Sequence, residues 1–597
     1  MVEWVEIESP LGHYIYHASI EICLKTNTRT VIDYNELLNL ATVKQWAQPE
    51  ELIDPPEFWK TFVETELTTI ATKPSLSAHF TYGELACALR LDALTNSHPI
   101  EVEVSSPDEI DEIFDTISYC KGSSLIHMVH AFLGDKAFRE GLCTYLAKHA
   151  YANATTEDLW IALGASSRVD VASIMRPWTR TAGFPVVTVQ PQSIQDGRLL
   201  VSLKQQQYRL PSSDSSSTSD AQLWPVPVVF VCSSEDNKHH ITHKHVLHMA
   251  EEVVQIPLTW PASSLNECLV RINTDATGFY HVRYAEDQLS RLITHMKSTK
   301  WSTASRFAFI NDGFALAKAG MISISHWLSL LPKLMEGEES YSIWRCVLVD
   351  GLATYVRRIV HESDIPDKLY HQFLRKIAVP VLDKLDFFAD KQSTPSIALT
   401  HDTHLLRSLL ISTVGAEAGD PNVIAEANRR YTAHKSGEAV LPSDLRAAVY
   451  STVVRHGPSE VVEELMQAYR AAKCPEERAD ILSALGGAHV TRPYTSASGG
   501  VGDLTGTGAR SQLEQVLAFC LDPKGPVRDQ DRIHGLSVCA SWSAPARQTT
   551  WKTIKSDWPR LSDVYHGQFL LAHLIKGVLC GFANEESIAD AKVSCVS

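Results

Sequence analysis

Positive charge is scarce in this 597-residue chain: 54 Lys and Arg stand against 70 Asp and Glu, a formal net charge of −16. A surface of that sign repels nucleic acid and anionic membrane, so no nucleic-acid partner is expected. Long apolar runs are missing too, and nothing reaches the roughly 18 residues of a membrane span. The opening MVEWVEIESP carries acids where a secretory leader carries bases, so no leader is read there. The 12 cysteines are scattered singly from Cys23 to Cys595 with no C-x-x-C pair. Buried free thiols in a reducing compartment fit that usage better than a disulfide framework, and the cytoplasm is the expected location.

Catalytic signatures are equally thin. Zinc-dependent hydrolases of the H-E-x-x-H type need two histidines at i and i+4 on one helix face, with the glutamate polarising the metal-bound water. The sequence has no H-E-x-x-H; HESDI at 361–365 begins correctly but ends in Ile365. No G-x-S-x-G elbow is present, which removes the commonest serine-hydrolase geometry. The glycine-rich GGVGDLTGTGAR (499–510) lacks the G-K-[ST] ending of a phosphate loop and reads as an insertion.

What is present has four textures. Residues 1–80 show weak periodicity and no motif. Residues 81–184 are helical in pattern: SSPDEIDEIF offers Ser106 as N-cap, Pro107 at the first helical position and Glu109 closing a capping box. GSSLIHMVHAFLGD predicts a helix stopped by Gly134, and ATTEDLWIAL another, with Thr155 and Asp158 in capping-box positions. Between 185 and 285 the period shortens. PVVTV, RLLVSL, VPVVFV, VVQIPL and LVRINT predict the strands of a small β-sandwich, with PSSDSSSTSD (211–220) as a solvated hairpin loop. From 286 to 597 amphipathic helices return without strands, predicting an α-solenoid of stacked helical pairs. The expected class is therefore mainly α with a small β-sandwich.

Histidines cluster in HHITHKHVLH, at His239, His240, His243, His245 and His248. On a strand, His243 and His245 share a face and could chelate a metal. With no carboxylate or cysteine partner in view, a solvent-facing sandwich edge is the preferred reading, and no metal ligand is assigned. His127 and His130 read as a partly buried and an exposed position on one helix. His401 and His404 read as flanking a turn.

One stretch is far more specific. D-A-L-x-x-S-H-P-I stands at Asp92–Ile100, I-F-D-x-I-S-Y-x-K-G at Ile113–Gly122 and W-x-x-x-x-G-F-P at Trp178–Pro185. TDATGFYHVRY (274–284), RFAFINDGFALAKAG (306–320) and LPSDLRAAVYSTVVRHG (441–457) extend the pattern. These elements resemble the zinc aminopeptidases of the gluzincin clan, most of all their puromycin-sensitive branch, over roughly residues 85–585. The resemblance implies the remnant helical part of a thermolysin-like catalytic domain, then the sandwich, then the solenoid. It also implies peptides as partners and zinc as the family's cofactor.

By the same resemblance, Tyr119 takes the place of the family's catalytic tyrosine, whose phenol donates to the oxyanion of the tetrahedral intermediate. The plainer reading is that Tyr119 packs at a helix start. In the family the zinc ligands and the G-A-M-E-N element precede D-A-L-x-x-S-H-P-I, and the 91 residues before Asp92 hold none of them. A metallo-aminopeptidase inactive by itself is therefore expected, as an incomplete product or a pseudoenzyme. The alternative is a non-catalytic helical scaffold that binds peptides or proteins. No oligomeric state is specified.

Overall fold

A computed structural model describes residues 80–103, 115–211, 222–361 apart from 237 and 300, 363–385 apart from 364, 387, 400–494, and 510–596 apart from 566–568, 580, 583 and 584. The expected cap at Ser106–Glu109 and most of segments 211–220 and 499–510 lie outside these residues. The protein is mostly helical with two small sheets, and it divides into two compact units, 1–329 and 330–597.

Among the described residues the first unit opens with a π-helical turn, Thr81–Leu85, running into α1 (Ala86–Asp92). A second π-helical turn, Ile117–Lys121, opens α2 (Gly122–Leu133). Wide turns of this kind are rare and recur at functional sites. The extra residue loosens the carbonyl ladder, and the hydroxyls that follow take up the slack: Ser123 and Ser124 both donate to the Cys120 carbonyl, at 3.1 and 2.6 Å. Gly134 ends α2 at φ +92, as its position predicts. After α3 (Asp135–Lys148) comes α4 (Thr156–Ser167), whose predicted capping box is formed, with Thr155 and Asp158 satisfying each other's backbone. α5 (Val171–Arg180) buries Ile174, Met175 and Trp178.

Seven strands follow: β1 (Pro185–Gln195), β2 (Arg198–Gln207), β3 (Val226–Ser234), β4 (His240–Leu247), β5 (Glu251–Pro257), β6 (Cys268–Ile272) and β7 (His281–Tyr284). They form one sheet in the order β5-β2-β1-β7 and another in the order β4-β3-β6. The five apolar runs named above fall on β1, β2, β3, β5 and β6. β4 is mostly polar and lies at a sheet edge, as read for the histidine stretch, whereas β7, four residues long and parallel to β1, was not foreseen. The serine-rich segment is not a hairpin loop. It joins β2 to β3, which lie in different sheets, because β2 takes β5 as its second neighbour. The inner faces are dry: Leu199, Val201, Leu203, Val226, Val228 and Phe230 are fully buried.

α6 (Glu286–Thr299) and α7 (Thr303–Lys318) continue the unit. α7 is buried on most sides, and Gly313 is needed there: a Cβ would stand 2.1 Å from the Trp327 ring. Its Asp312 accepts from the Val282 N–H at 3.1 Å and sits 2.7 Å from His281 Nδ1, tying helix to β7.

The second unit is helical, and no strand is formed among its described residues. Helices 421–435 and 443–456 pack on each other, 443–456 on 475–485, 475–485 on 529–541, and 529–541 on 544–556 and 569–579. Neighbouring helices of the unit thus bury their faces on one another, as a helical C-terminal part requires. Arginines cap carbonyls near helix C-termini: Arg375 donates to Ala418 O at 2.6 Å and Arg455 to Gly487 O at 3.2 Å. His401 and His404 do not flank a turn. They form the first turn of helix His401–Ile411, because Thr400 and Thr403 close a capping box. His404 there meets Asp444 at 2.9 Å.

Candidate functional site

Three of the sequence elements of the first unit, at 92–100, 113–122 and 178–185, converge on one buried ion pair. Asp92 ends α1 and Lys121 ends the second wide turn; both side chains are fully buried, 2.9 Å apart. Lys121 Nζ also donates to Thr181 O at 2.9 Å and Gly183 O at 3.3 Å, beside its ion pair with Asp92. It lies 5.7 Å from the Phe279 ring centre. Asp92 Oδ1 accepts from Ser97 Oγ at 2.6 Å and the Gly183 N–H at 2.8 Å. Burial pulls the Lys121 ammonium below the usual lysine range, against the attraction and hydrogen bond of Asp92. Gly183 has φ +88, a left-handed backbone conformation that any side chain at that position would strain. Trp178 anchors the same element by donating to Pro225 O at 2.9 Å.

A second pair holds the wide turn from outside. Asp115 Oδ1 accepts the Ser118 N–H at 2.9 Å, and the Asp115 carbonyl accepts the Tyr119 N–H at 3.2 Å. Asp115 Oδ2 lies 2.8 Å from His98 Nε2, and His98 Nδ1 lies 2.8 Å from Pro99 O. Both ring nitrogens thus face acceptors, which favours the imidazolium. Burial opposes that charge, but Pro99 O and Asp115 outweigh it and raise His98 above the usual histidine value. A third link joins the two wide turns: Cys120 Sγ donates to Glu84 Oε2 at 2.6 Å.

Tyr119 is therefore presented by a turn braced on several sides. Its side chain is 44% exposed, so it does not pack in the core at the helix start. Leu94 and Val102, also exposed, lie in the segment after α1. Asp92, Lys121, His98 and Asp115 were quoted as motif members, yet only Tyr119 was assigned a role from sequence. The signal missed was one acid and one base, Asp92 and Lys121, inside two motifs 29 residues apart.

Among the described residues no three His, Cys, Asp or Glu side chains converge as a metal site. His98 has both nitrogens engaged, so it offers no lone pair. His127 is partly buried against Phe80, and burial with the nearby His130 pushes it down to about 4. His130 is not exposed as expected; it pairs with Asp135 at 3.2 Å and packs on Phe138. The described residues around Tyr119 do not fit a zinc ion.

β4 corrects the reading of the histidine cluster in part. His243 and His245 do share a face, but it is the less exposed one, while His240 and Thr242 point to solvent and the Lys244 ammonium reaches the Phe132 carbonyl and ring. β4 is an edge strand, and its alternation leaves His243 and His245 against the sandwich. His243 packs on Phe230, and His245 has a carboxylate partner after all: Glu252 Oε2 at 2.8 Å. The tight β4–β5 connection brings it there, since Glu252 Oε1 accepts the His248 and Met249 N–H groups at 2.8 and 2.7 Å.

Comparison with known proteins follows the same lines. A family model described as ERAP1-like C-terminal domain matches residues 269–593, and one described as Peptidase family M1 domain matches residues 39–178. The second match starts well ahead of the first motif at Asp92. Aminopeptidase M1 of Arabidopsis thaliana is 29% identical over 514 residues, covering 84% of this chain and 54% of the relative. Aminopeptidase M1-A of Oryza sativa subsp. japonica is 30% identical, covering 85% and 53%. Puromycin-sensitive aminopeptidase of Caenorhabditis elegans is 27% identical, covering 85% and 50%. The chain spans about half the length of the curated relatives it matches.

Proposed function

Since the chain belongs to the M1 aminopeptidase family, we propose that it carries the oxyanion-donor side of a metallo-aminopeptidase site and does not cleave peptides by itself. A phenol held on a braced turn is suited to donate to a developing oxyanion, an effect commonly worth a few kcal/mol. Tyr119 is that donor in this reading, and N-terminal residues of peptides are the substrate class of the complete site. Zinc is the metal expected of the family, in a cytoplasmic setting. One observation carries the reading: the turn bearing Tyr119 is fully braced, while no H-E-x-x-H stands anywhere in the 597 residues. Residues 81–184 are read as the C-terminal helical part of the catalytic domain, 185–285 as the sandwich and 286–597 as the helical-repeat domain.

The test is hydrolysis of aminoacyl-coumarin substrates by the purified chain, with and without added zinc. No turnover above buffer is expected. Zinc-dependent turnover abolished by Tyr119→Phe would overturn the proposal.

The second reading, a non-catalytic scaffold that binds peptides or proteins, is favoured by the second unit. Its stacked helices bury cores of their own, such as Leu445, Val449, Leu482 and Leu536, within the ERAP1-like match. Saturable binding of fluorescent peptides to the chain supports it, and its absence for a monodisperse sample counts against it.

A further inference from the structure

In a chain where acids outnumber bases, the second unit gathers arginines around a single half-buried carboxylate, Glu417. Arg357 Nη1 lies 3.1 Å from Glu417 Oε1, and its Nη2 donates to Ser541 O at 3.2 Å. Tyr370 O–H donates to the same Glu417 oxygen at 3.1 Å. Arg375 reaches Ala418 O at the end of the wide turn Ser412–Glu417. Arg455 reaches Gly487 O and Arg492 reaches Gly457 O, both at 3.2 Å. At the edge, Arg547 acts on His361, whose Nε2 is 4.0 Å from the exposed Asp367. Five arginines thus face two acids, one of them at the rim.

Capping of helix ends accounts for one N–H of most of these arginines, since the carbonyls lie at helix C-termini. It does not account for their crowding. Burial, Arg492 and Arg357 all pull the Arg455 guanidinium below its usual range, and Glu417 opposes them. His456 and His489 sit in the same field. Their Nε2 atoms lie 3.0 Å from Ala416 O and 2.7 Å from Arg455 O, yet burial with Arg455 and Arg492 holds both below the usual histidine value. They are neutral near pH 7, and the arginines carry the excess charge.

Arg375, Arg455 and Arg492 are half-buried, so solvent reaches them. Among the described residues each donates through Nη1 alone, out of the five N–H groups of a guanidinium. A carboxylate brings one charge and a planar pair of oxygens, which one guanidinium satisfies. Linked phosphates bring several charges and many acceptor oxygens on a compact frame, so one ligand answers arginines from different segments. A nucleic-acid strand carries the same group, but the net charge of −16 works against so long a polyanion.

We propose that this arginine hub binds a compact di- or triphosphate group, with Arg455 and Arg492 as its principal donors. It uses no residue of the first unit, so it stands or falls apart from the proposed function.

Calorimetric titration of the full chain with sodium tripolyphosphate, at constant ionic strength and without divalent cations, tests it. One saturable site is expected, with a Kd of about 10–100 μM, and citrate should bind at least about tenfold more weakly. Arg492→Gln should weaken tripolyphosphate about tenfold. Glu417→Gln removes the central negative charge and keeps an acceptor for Arg357 and Tyr370; it should tighten binding by about threefold or more. Arg429→Gln, in an exposed pair with Glu426 on helix Pro421–Lys435, should change nothing. ATP as a second titrant distinguishes the sources: tighter binding than tripolyphosphate points to a nucleotide, weaker binding to inorganic polyphosphate. Absence of a saturable site, equal affinity for citrate, or an affinity indifferent to both Arg492→Gln and Glu417→Gln overturns the proposal. If Arg492→Gln does not fold, the direction of change in Glu417→Gln decides.

Discussion

Two polar regions of the first unit, the braced turn around Tyr119 and the histidine edge on β4, carry similar residue types and behave differently. At the turn, Asp92 is linked to Lys121 and to Gly183, 29 and 91 residues away, and the charges are fully buried. At the edge, His245 meets Glu252 only 7 residues on, and both remain partly exposed. The first arrangement ties three chain segments together; the second closes one local connection. Density of metal-type residues therefore says little about where function is organised. The sparser cluster, built across long sequence separations, is the one whose geometry is over-determined.

The largest expected effect falls on the buried pair. Lys121→Met leaves Asp92 buried and unpaired and should lower the stability of the first unit by about 3–5 kcal/mol in urea unfolding. Lys121→Met combined with Asp92→Leu should recover part of that loss; no recovery would make the pair less central than the contrast requires.

Acidification comes next. Burial holds His127, near His130, and His295, near Arg271, at about 4, below the usual 6.5. Their folded forms bind protons less readily than the unfolded chain. Stability is therefore lost as pH falls below 6.5 and the loss is complete below about 4, on the order of 2–3 kcal/mol per histidine. His98 runs the other way: its raised value stabilises at low pH, and that contribution disappears as pH climbs through the folded value. Melting followed from pH 8 to 4 should show a net fall, with histidine NMR separating His98 from the other two.

Asp115→Ala should cost about 1–2 kcal/mol, since it frees the Ser118 N–H and His98. Hydrogen exchange should quicken at 117–122, and unchanged exchange would remove the bracing argument for Tyr119. The smallest effect is expected at the edge: His245→Ala should cost less than about 1 kcal/mol. A larger loss would erase the contrast between the two regions.

Much of the fold was legible because hydrophobic period and caps are local signals. The Thr155–Asp158 box, the Gly134 stop and five of the strands follow from residues a few positions apart. β4 was legible only as a polar stretch at the sandwich edge and not as a paired strand, since an edge strand half-facing solvent carries little apolar alternation. The strand-switching connection after β2 was hidden for a related reason: loop composition does not encode which sheet the next strand joins. At the site, the motif resemblance led to Tyr119, but the partnership of Asp92 with Lys121 and the meeting of His245 with Glu252 depend on contacts that spacing does not contain.

Zinc stoichiometry of the purified chain, after equilibration with excess zinc and exhaustive dialysis, bears most directly on the central claim. Well under one tightly held ion per chain is expected. One ion per chain, displaced by a chelator and accompanied by altered exchange around Tyr119, would contradict it.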